Sequence, residues 1–333
     1  MSKVIQDAEL GNLTVYPEFF QDGNSEKAIQ DAEGSAIFFA RQLEHVKAKN
    51  ADVKYPELSA RRVFPVSNEA GEGADTITVK TYDQVGMAEF IGAYDKGLPS
   101  VDISGKEIVI KVRETGLNVR YTLSELRKAV RAGLPIDAMK MRAAIRGHEQ
   151  RINLVAFNGD AARGLIGLFS HPNIPNAVAP NGAAVSPLWT SKTADEMLAD
   201  LQDCVDSIWI DTKQVHRANT LLITPALFQL IKQKRIGAAN DVSVLTYFLA
   251  NNQFINSVDQ IIVCNELVGA GTGGTNCIVA MEKSVDNFTL EIPMEPKFHP
   301  EQRQGLEIVI PTECSIAGLL VNYPLALNIT YGI

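Results

Sequence analysis

Residues 121–159 read YTLSELRKAVRAGLPIDAMKMRAAIRGHEQRINLVAFNG, and nearly every position favours a helix. Thr122 and Glu125 have the spacing of a capping box, in which each side chain satisfies an orphan N–H at the helix start. Gly133 and Pro135 interrupt the run, so it reads as a short helix, a bend and a long helix. Asp137 falls in the first turn of the long helix, where a carboxylate complements the helix dipole. Met141, Ile145, Ile152, Val155 and Ala156 form an apolar stripe at spacings near 3.6, with His148 and Glu149 in its gap. Lys140, Arg142, Arg146, Gln150 and Arg151 fall mostly on other sides, and Gly159 suits the residue just past the helix end. A helix of about 22 residues is roughly 33 Å long. Such a length suggests a spine on which other elements hang.

Working back towards the N-terminus, residues 75–91 alternate strongly. Ile77 and Val79 fall on one face, and Thr76, Thr78 and Lys80 on the other. Residues 106–121 alternate again through Ile108, Ile110 and Val112. The glycine-rich stretch GAYDKGLPSVDISG lies between them, so the whole reads as one long β-hairpin with a polar tip. A two-stranded ribbon is marginal in water on its own, so this one is expected to lie on a neighbouring molecule. Residues 53–66 read as extended and proline-punctuated, with Arg61 and Arg62 as a solvated pair or, alternatively, an intersubunit ion pair. Gly34 to Lys49 reads as a short amphipathic helix. The polar stretch 1–34 reads as an extended arm whose Tyr16, Phe19 and Phe20 dock elsewhere, on a neighbouring subunit.

Beyond the spine comes a loop of Gly, Pro and Asn around an apolar patch, Leu165, Ile166, Leu168 and Phe169. Thr193 and Glu196 form a second capping box for a helix reaching about Asp211. A buried strand is expected over 219–224, then a helix with Pro225 at its first position and Gly237 as its stop. A further helical turn or two falls at 243–250, and strands at 258–264 and 276–282. Alternating strands and helices suggest an α/β domain in this middle third. The final third is strand-rich and ends in an uncharged apolar segment, ALNITYGI, suited to a sheet. The fold class is therefore α+β, with the C-terminal strands completing a domain begun before residue 160.

The composition is ordinary for a globular chain of 333 residues, and the formal net charge is −8. An acidic balance argues against gripping nucleic-acid phosphates over a broad surface. Cys204, Cys264, Cys277 and Cys314 form no C-x-x-C pair and read as buried reduced thiols, with neither metal nor cofactor implied. The N-terminus lacks the pattern of a signal peptide, and no apolar run approaches the length of a membrane span. Gly269, Gly271 and Gly274 satisfy G-x-G-x-x-G. A strand-like segment follows where a dinucleotide fingerprint needs a helix, so a glycine-rich hairpin loop is the preferred reading. The five histidines are dispersed; His148 reads as packed or surface, and His171 as part of a turn. Lys96, at the ribbon tip, reads as solvated, since an isopeptide bond to a neighbour's asparagine also needs a positioned carboxylate. No nucleophile elbow or paired carboxylates point to catalysis.

The order of elements resembles the major capsid proteins of tailed bacteriophages, with the Hong Kong 97-type fold that encapsulins share. DKGLPSVDISGKEIVIKV resembles the returning half of that family's extended loop. The stretch from Arg120 to Asp160 resembles its spine helix, and GLIGLFSHPNI the connector that follows. The resemblance implies an N-terminal arm over residues 1–60 and an extended loop over 82–119. It implies a peripheral domain from 60–82, 119–162 and 284–333, and an axial domain over 163–283. It also implies pentamers and hexamers of an icosahedral head around double-stranded DNA, with Tyr94, Lys96, Leu98 and Val101 as intersubunit contacts at the loop tip. The implied location is the virion, after synthesis in the bacterial host cytoplasm. Portal, scaffolding or decoration proteins are the implied partners. The chain leaves little room for a long N-terminal scaffolding segment, so a separate scaffolding protein, or none, is expected. An encapsulin-like shell around a cargo enzyme is the alternative. A soluble enzyme holding nucleotide at 269–274 is a more remote one.

Overall fold

The computed structural model describes residues 3–7, 11–15, 55–85, 100–132, 136–237 and 241–333. The chain divides into two units, Met1–Pro56 and Glu57–Ile333. In the first, strand β1 (Lys3–Asp7) pairs antiparallel with β2 (Gly11–Val15). Tyr16, Phe19, Phe20 and the helix expected over 34–49 lie outside the described residues.

The second unit opens with one helical turn, Ala60–Val63, where extended chain was expected, and the short strand β3 (Val66–Ser67). The ribbon follows as β4 (Thr76–Val85) and β5 (Asp102–Lys111), paired antiparallel from Thr76↔Lys111 to Val85↔Asp102. The alternation through 106–121 is not one strand. It breaks at the buried Val112, whose N–H donates to the Asp75 carbonyl (2.9 Å). Strand β6 (Arg113–Thr122) then runs on with a different partner. The short helix Leu123–Ala132 and the spine helix Ile136–Asn158 come next; the bend expected at Gly133 and Pro135 lies outside the described residues.

After the spine come β7 (Asn176–Val178), the helix Ala194–Asp211, β8 (Thr220–Ile223), and the helices Pro225–Gln233 and Val244–Asn251. The helix begun at Pro225 stops at Gln233, short of Gly237. A single 3-10 turn, Val258–Gln260, occupies the first half of the strand expected at 258–264; β9 (Ile261–Val263) is the rest. Strands β10 (Cys277–Met281), β11 (Phe288–Glu291), β12 (Met294–Phe298), β13 (Gln302–Gln304), β14 (Glu307–Ile316), β15 (Gly318–Val321) and β16 (Leu327–Tyr331) complete the chain.

The organising sheet has the order β7-β16-β10-β8-β9. Successive residues of one strand point to opposite faces, and here both faces are covered. Leu222, Val279, Met281, Leu327 and Ile329 join the cluster around the spine residues Ile152, Val155 and Ala156. Leu221, Ile223, Ile278 and Ala280 join a second cluster under the helices between 194 and 251. That double burial explains why NTLLIT is apolar without alternation. The last strand, β16, lies inside this sheet between β7 and β10, so the C-terminus returns into the middle third of the fold. The glycine-rich segment at 269–274 joins β9 to β10. These strands are not neighbours, since β8 lies between them, so the segment is a crossover and not a hairpin loop.

On the other side of the spine, the ten-residue β14 pairs along its whole length with β6 and receives β12 and β13 on its opposite edge. A small sheet, β15-β11-β3, ties the segment before the ribbon to the C-terminal strands. Among the described residues, no helix is long and apolar enough to cross a membrane.

Candidate assembly site

The ribbon and the joint that carries it form the candidate site. At the joint, Thr122 Oγ1 accepts from Glu125 N (3.1 Å), which is half of the expected capping box. The Glu125 carboxylate instead accepts from Lys140 Nζ at 2.8 Å, and this contact holds its carboxyl below the usual range. Lys140 Nζ also donates to the Arg120 carbonyl (2.7 Å) and stands over the Tyr121 ring. One lysine of the spine therefore clamps the end of β6 and the start of the short helix. The second box is complete: Thr193 and Glu196 exchange both bonds at the start of Ala194–Asp211.

The C-terminal half of the spine is buried on nearly every side through Ile152, Asn153, Val155, Ala156 and Phe157. The stripe expected from the sequence is covered only there. Met141 and Ile145 are exposed, because this half of the helix packs on β6 and β14 through Ile136, Ala144 and His148 instead. The connector GLIGLF caps the helix from outside. Gly159, Leu168 and Phe169 donate N–H bonds to the carbonyls of Val155, Ala156 and Phe157 at 3.0, 2.9 and 2.8 Å. These are carbonyls that a helix leaves without partners. Gly159 takes φ +74 and Gly167 lies against the helix backbone, so both glycines are needed.

A buried polar set fastens the segment before the ribbon. Ser59 Oγ and Asn153 Nδ2 donate to Glu266 at 2.6 and 2.8 Å, and Ala60 N donates to Asn153 Oδ1 at 2.9 Å. Arg61 is part-exposed and paired within its own chain. It meets Glu295 and Glu149 at 2.6 and 2.9 Å within the chain, and these bonds hold its guanidinium above its ordinary value. Arg62 donates to the Val263 carbonyl (3.0 Å).

His148 is buried on the spine. Thr312 Oγ1 donates to the Leu117 carbonyl (2.9 Å), which leaves it to accept from His148 Nε2 (2.9 Å). This relay ties the spine to β14 and β6 and requires a proton on Nε2, whichever charge state the ring holds. Burial holds its pKa below the ordinary value, with Glu149 acting weakly the other way. The unfolded chain therefore binds the proton more readily, and this contribution to stability is present above about pH 6.5 and lost as pH falls below it. One such group gives at most ~1.4 kcal/mol per pH unit. Urea unfolding at pH values from about 5 to 7.5 is expected to show a shallower pH dependence in His148→Gln than in the parent; equal slopes would contradict this account.

The ribbon has a covered root and an uncovered end. At the root, Ile77, Val79, Ile108 and Ile110 pack with Val112, Ala317 and Leu320, as the alternation implies. The other face carries Tyr82, Ile103 and Val109, exposed by 69, 62 and 56%. Tyr82 lies across Gly105, its cross-strand partner. Val101, one of the expected tip contacts, is 75% exposed beside β5; Tyr94, Lys96 and Leu98 lie outside the described residues.

All four cysteines are free and buried. Burial pushes Cys204 and Cys264 up to about 11 and Cys277 and Cys314 up to about 12, far from thiolate reactivity at neutral pH. His171 Nδ1 accepts from Asn173 N (3.2 Å), which is the turn role expected of it. Strand β10, not a helix, follows Gly274. Among the described residues, no group of three or more His, Cys, Asp or Glu is placed to hold a metal ion.

A family profile described as "Major capsid protein" matches residues 86–333, and this chain belongs to that family. It is a structural subunit of phage heads. Solved structures agree in fold. The capsid of Myoviridae phage XM1 superposes with a TM-score of 0.74 at 17% identity, over 88% of this chain and 98% of that one. A structure from Gordonia phage Cozz gives 0.61 at 12% identity, covering 95 and 97%. The capsid of a native GTA particle gives 0.58 at 11% identity, covering 94 and 99%. No curated protein matches the chain significantly. The encapsulin-like alternative is not favoured by this company.

Proposed function

We propose that copies of this chain close into pentamers and hexamers of an icosahedral head by laying the ribbon of each subunit across the next. The observation that carries this reading is the ribbon's outer end. Among the described residues, β4 and β5 pair only with each other there, and Tyr82 and Ile103 are left in water on a face shared with Lys80 and Glu107. Such a ribbon gains stability from a second surface, and assembly then stabilises the subunit by mass action. Tyr94, Lys96, Leu98 and Val101 are the proposed tip contacts, and Tyr16, Phe19 and Phe20 those of the arm. The proposed peripheral part comprises 60–82, 119–162 and 284–333 and lends β16 to the sheet of an axial part over 163–283. The shell encloses double-stranded DNA without gripping it, consistent with the net charge of −8. A portal, and scaffolding or decoration proteins, are its proposed partners, and the bacterial cytoplasm its site of synthesis. The role is structural, with no catalysis.

Deletion of residues 92–105 tests the ribbon. The expected product is a folded subunit, with a circular-dichroism melt close to the parent's, that fails to form shells in size-exclusion chromatography and microscopy. Shells in parental yield would contradict the reading.

A further inference from the structure

The loop behind the spine gathers positive charge that the described residues neutralise only in part. Arg151, near the helix end, places NH2 2.5 Å from Asp160 Oδ2, and Arg163 NH1 lies 2.6 Å from the same oxygen. Arg113 Nε donates to the Arg163 carbonyl at 3.2 Å. Lys111 runs along Gly164: a Cβ built on that glycine would stand 3.4 Å from Lys111 Cδ and 3.6 Å from its Nζ. Two guanidiniums thus share the Asp160 carboxylate, and Lys111 and Arg113 lie against the same loop. Lys111, Arg113 and Arg163 are exposed. Among the described residues, neither Lys111 nor Arg113 has a carboxylate within ion-pair distance. Glu114 falls on the opposite face of the strand from Arg113. Asp75 contributes its carbonyl to Val112 N.

Among the described residues, Asp160 is the carboxylate within ion-pair distance of this group, so the cations there repel one another. The position of the group adds a second observation. Lys111 and Arg113 flank Val112, where β5 passes into β6 and the ribbon leaves the body. We propose that this patch receives carboxylates from a second copy of the chain and fixes the root of the ribbon against the neighbouring subunit. The inference rests on the shell reading above. Charge complementarity identifies the occupant: each copy carries 39 acidic against 31 basic side chains, so an approaching copy presents carboxylates in excess. A DNA duplex is anionic along its whole length and is repelled by the rest of the surface, whereas a second copy also carries 31 basic side chains that can face acidic ones elsewhere. Guanidinium forks suit carboxylates, and the contact speeds encounter and weakens with salt.

The test uses the full chain carrying Lys111→Glu with Arg113→Glu, and follows shell yield by sedimentation and microscopy at about 50 and about 500 mM salt. Parental shells are expected to form more readily at the lower salt. The reversed pair is expected to melt like the parent yet lose at least ~10-fold in shell yield, with little remaining salt dependence. Parental yield from a folded variant overturns the inference alone. So does normal assembly with reduced DNA retention, which would make the patch a phosphate contact. If the reversed pair misfolds, Lys111→Gln with Arg113→Gln is read instead; a several-fold loss supports the inference, and an unchanged yield overturns it. A parent that forms no shell at either salt overturns the shell reading and this inference together.

Discussion

Replacing Gly167 with alanine is expected to destabilise the subunit by at least ~3 kcal/mol, because the new methyl group has nowhere to go. Its Cβ would stand 2.4 Å from Gly159 N, 2.6 Å from the Val155 carbonyl and 2.8 Å from the Phe157 carbonyl. All three are backbone atoms of the spine's last turn, and no side-chain rotation relieves them. Moving the connector would break the bonds from Leu168 and Phe169 that cap the helix, and would open the core around the buried Leu165 and Leu168. For a chain of this size the loss corresponds to a fall in melting temperature of roughly 4–5 °C. Gly164→Ala is the control. It carries φ +71, but its Cβ would meet only the flexible Lys111 side chain, so a cost of about 1–2 kcal/mol is expected. A Gly167→Ala melt within about 2 °C of the parent would contradict the close docking of connector on helix.

Asp200→Ala is expected to cost about 3–5 kcal/mol. The side chains of Lys192 and Asp200 are 1 and 2% exposed, with Lys192 Nζ 2.5 Å from Asp200 Oδ2. The same oxygen accepts from Trp189 Nε1 at 2.7 Å. Burial pushes the Asp200 carboxyl up, and the bonds from Lys192 and Trp189 pull against it. Removing the carboxylate leaves an ammonium and an indole N–H buried without their acceptor, under the helix Ala194–Asp211. Removing both charges together is a different experiment. Lys192→Met with Asp200→Leu is expected to recover most of the loss, since a buried pair roughly offsets its own desolvation. Chemical denaturation of Lys192→Met, Asp200→Leu and the double closes the cycle. A single-mutant loss under about 1 kcal/mol would mean that the pair is wetter than the structure places it.

Much of this fold was legible in the sequence, for local reasons. Thr122, Thr193 and Pro225 mark helix starts through hydrogen bonds or ring geometry within a few residues, and all three helices begin within one residue of the expected place. The run NTLLIT shows burial directly. What stayed hidden depends on distant partners. Alternation continues smoothly through 106–121, yet Val112 divides it, because β6 pairs with a strand almost two hundred residues later; Thr312 Oγ1 reaches the Leu117 carbonyl across 195 positions. The partners of Arg61 are equally remote, at Glu149 and Glu295, so a local reading left it solvated or waiting for a neighbour. Met141 and Ile145 keep the helical period of the buried residues, but period does not reveal that β6 and β14 meet this half of the helix at Ile136 and Ala144. Gly167 looked like loop punctuation, and only the docked connector shows that it marks close backbone approach. The ribbon's paired arms were legible through their long alternation. The charged root at Lys111 and Arg113 was not, because Arg151 and Arg163 come to it from the far end of the spine.

The central claim is that this subunit is built to complete itself on copies of its own kind. Electron microscopy of the purified full-length protein at high concentration tests it most directly. Closed shells, or rings of five and six subunits, are the expected result. A dispersed monomer that persists at every salt and concentration tried would contradict the claim.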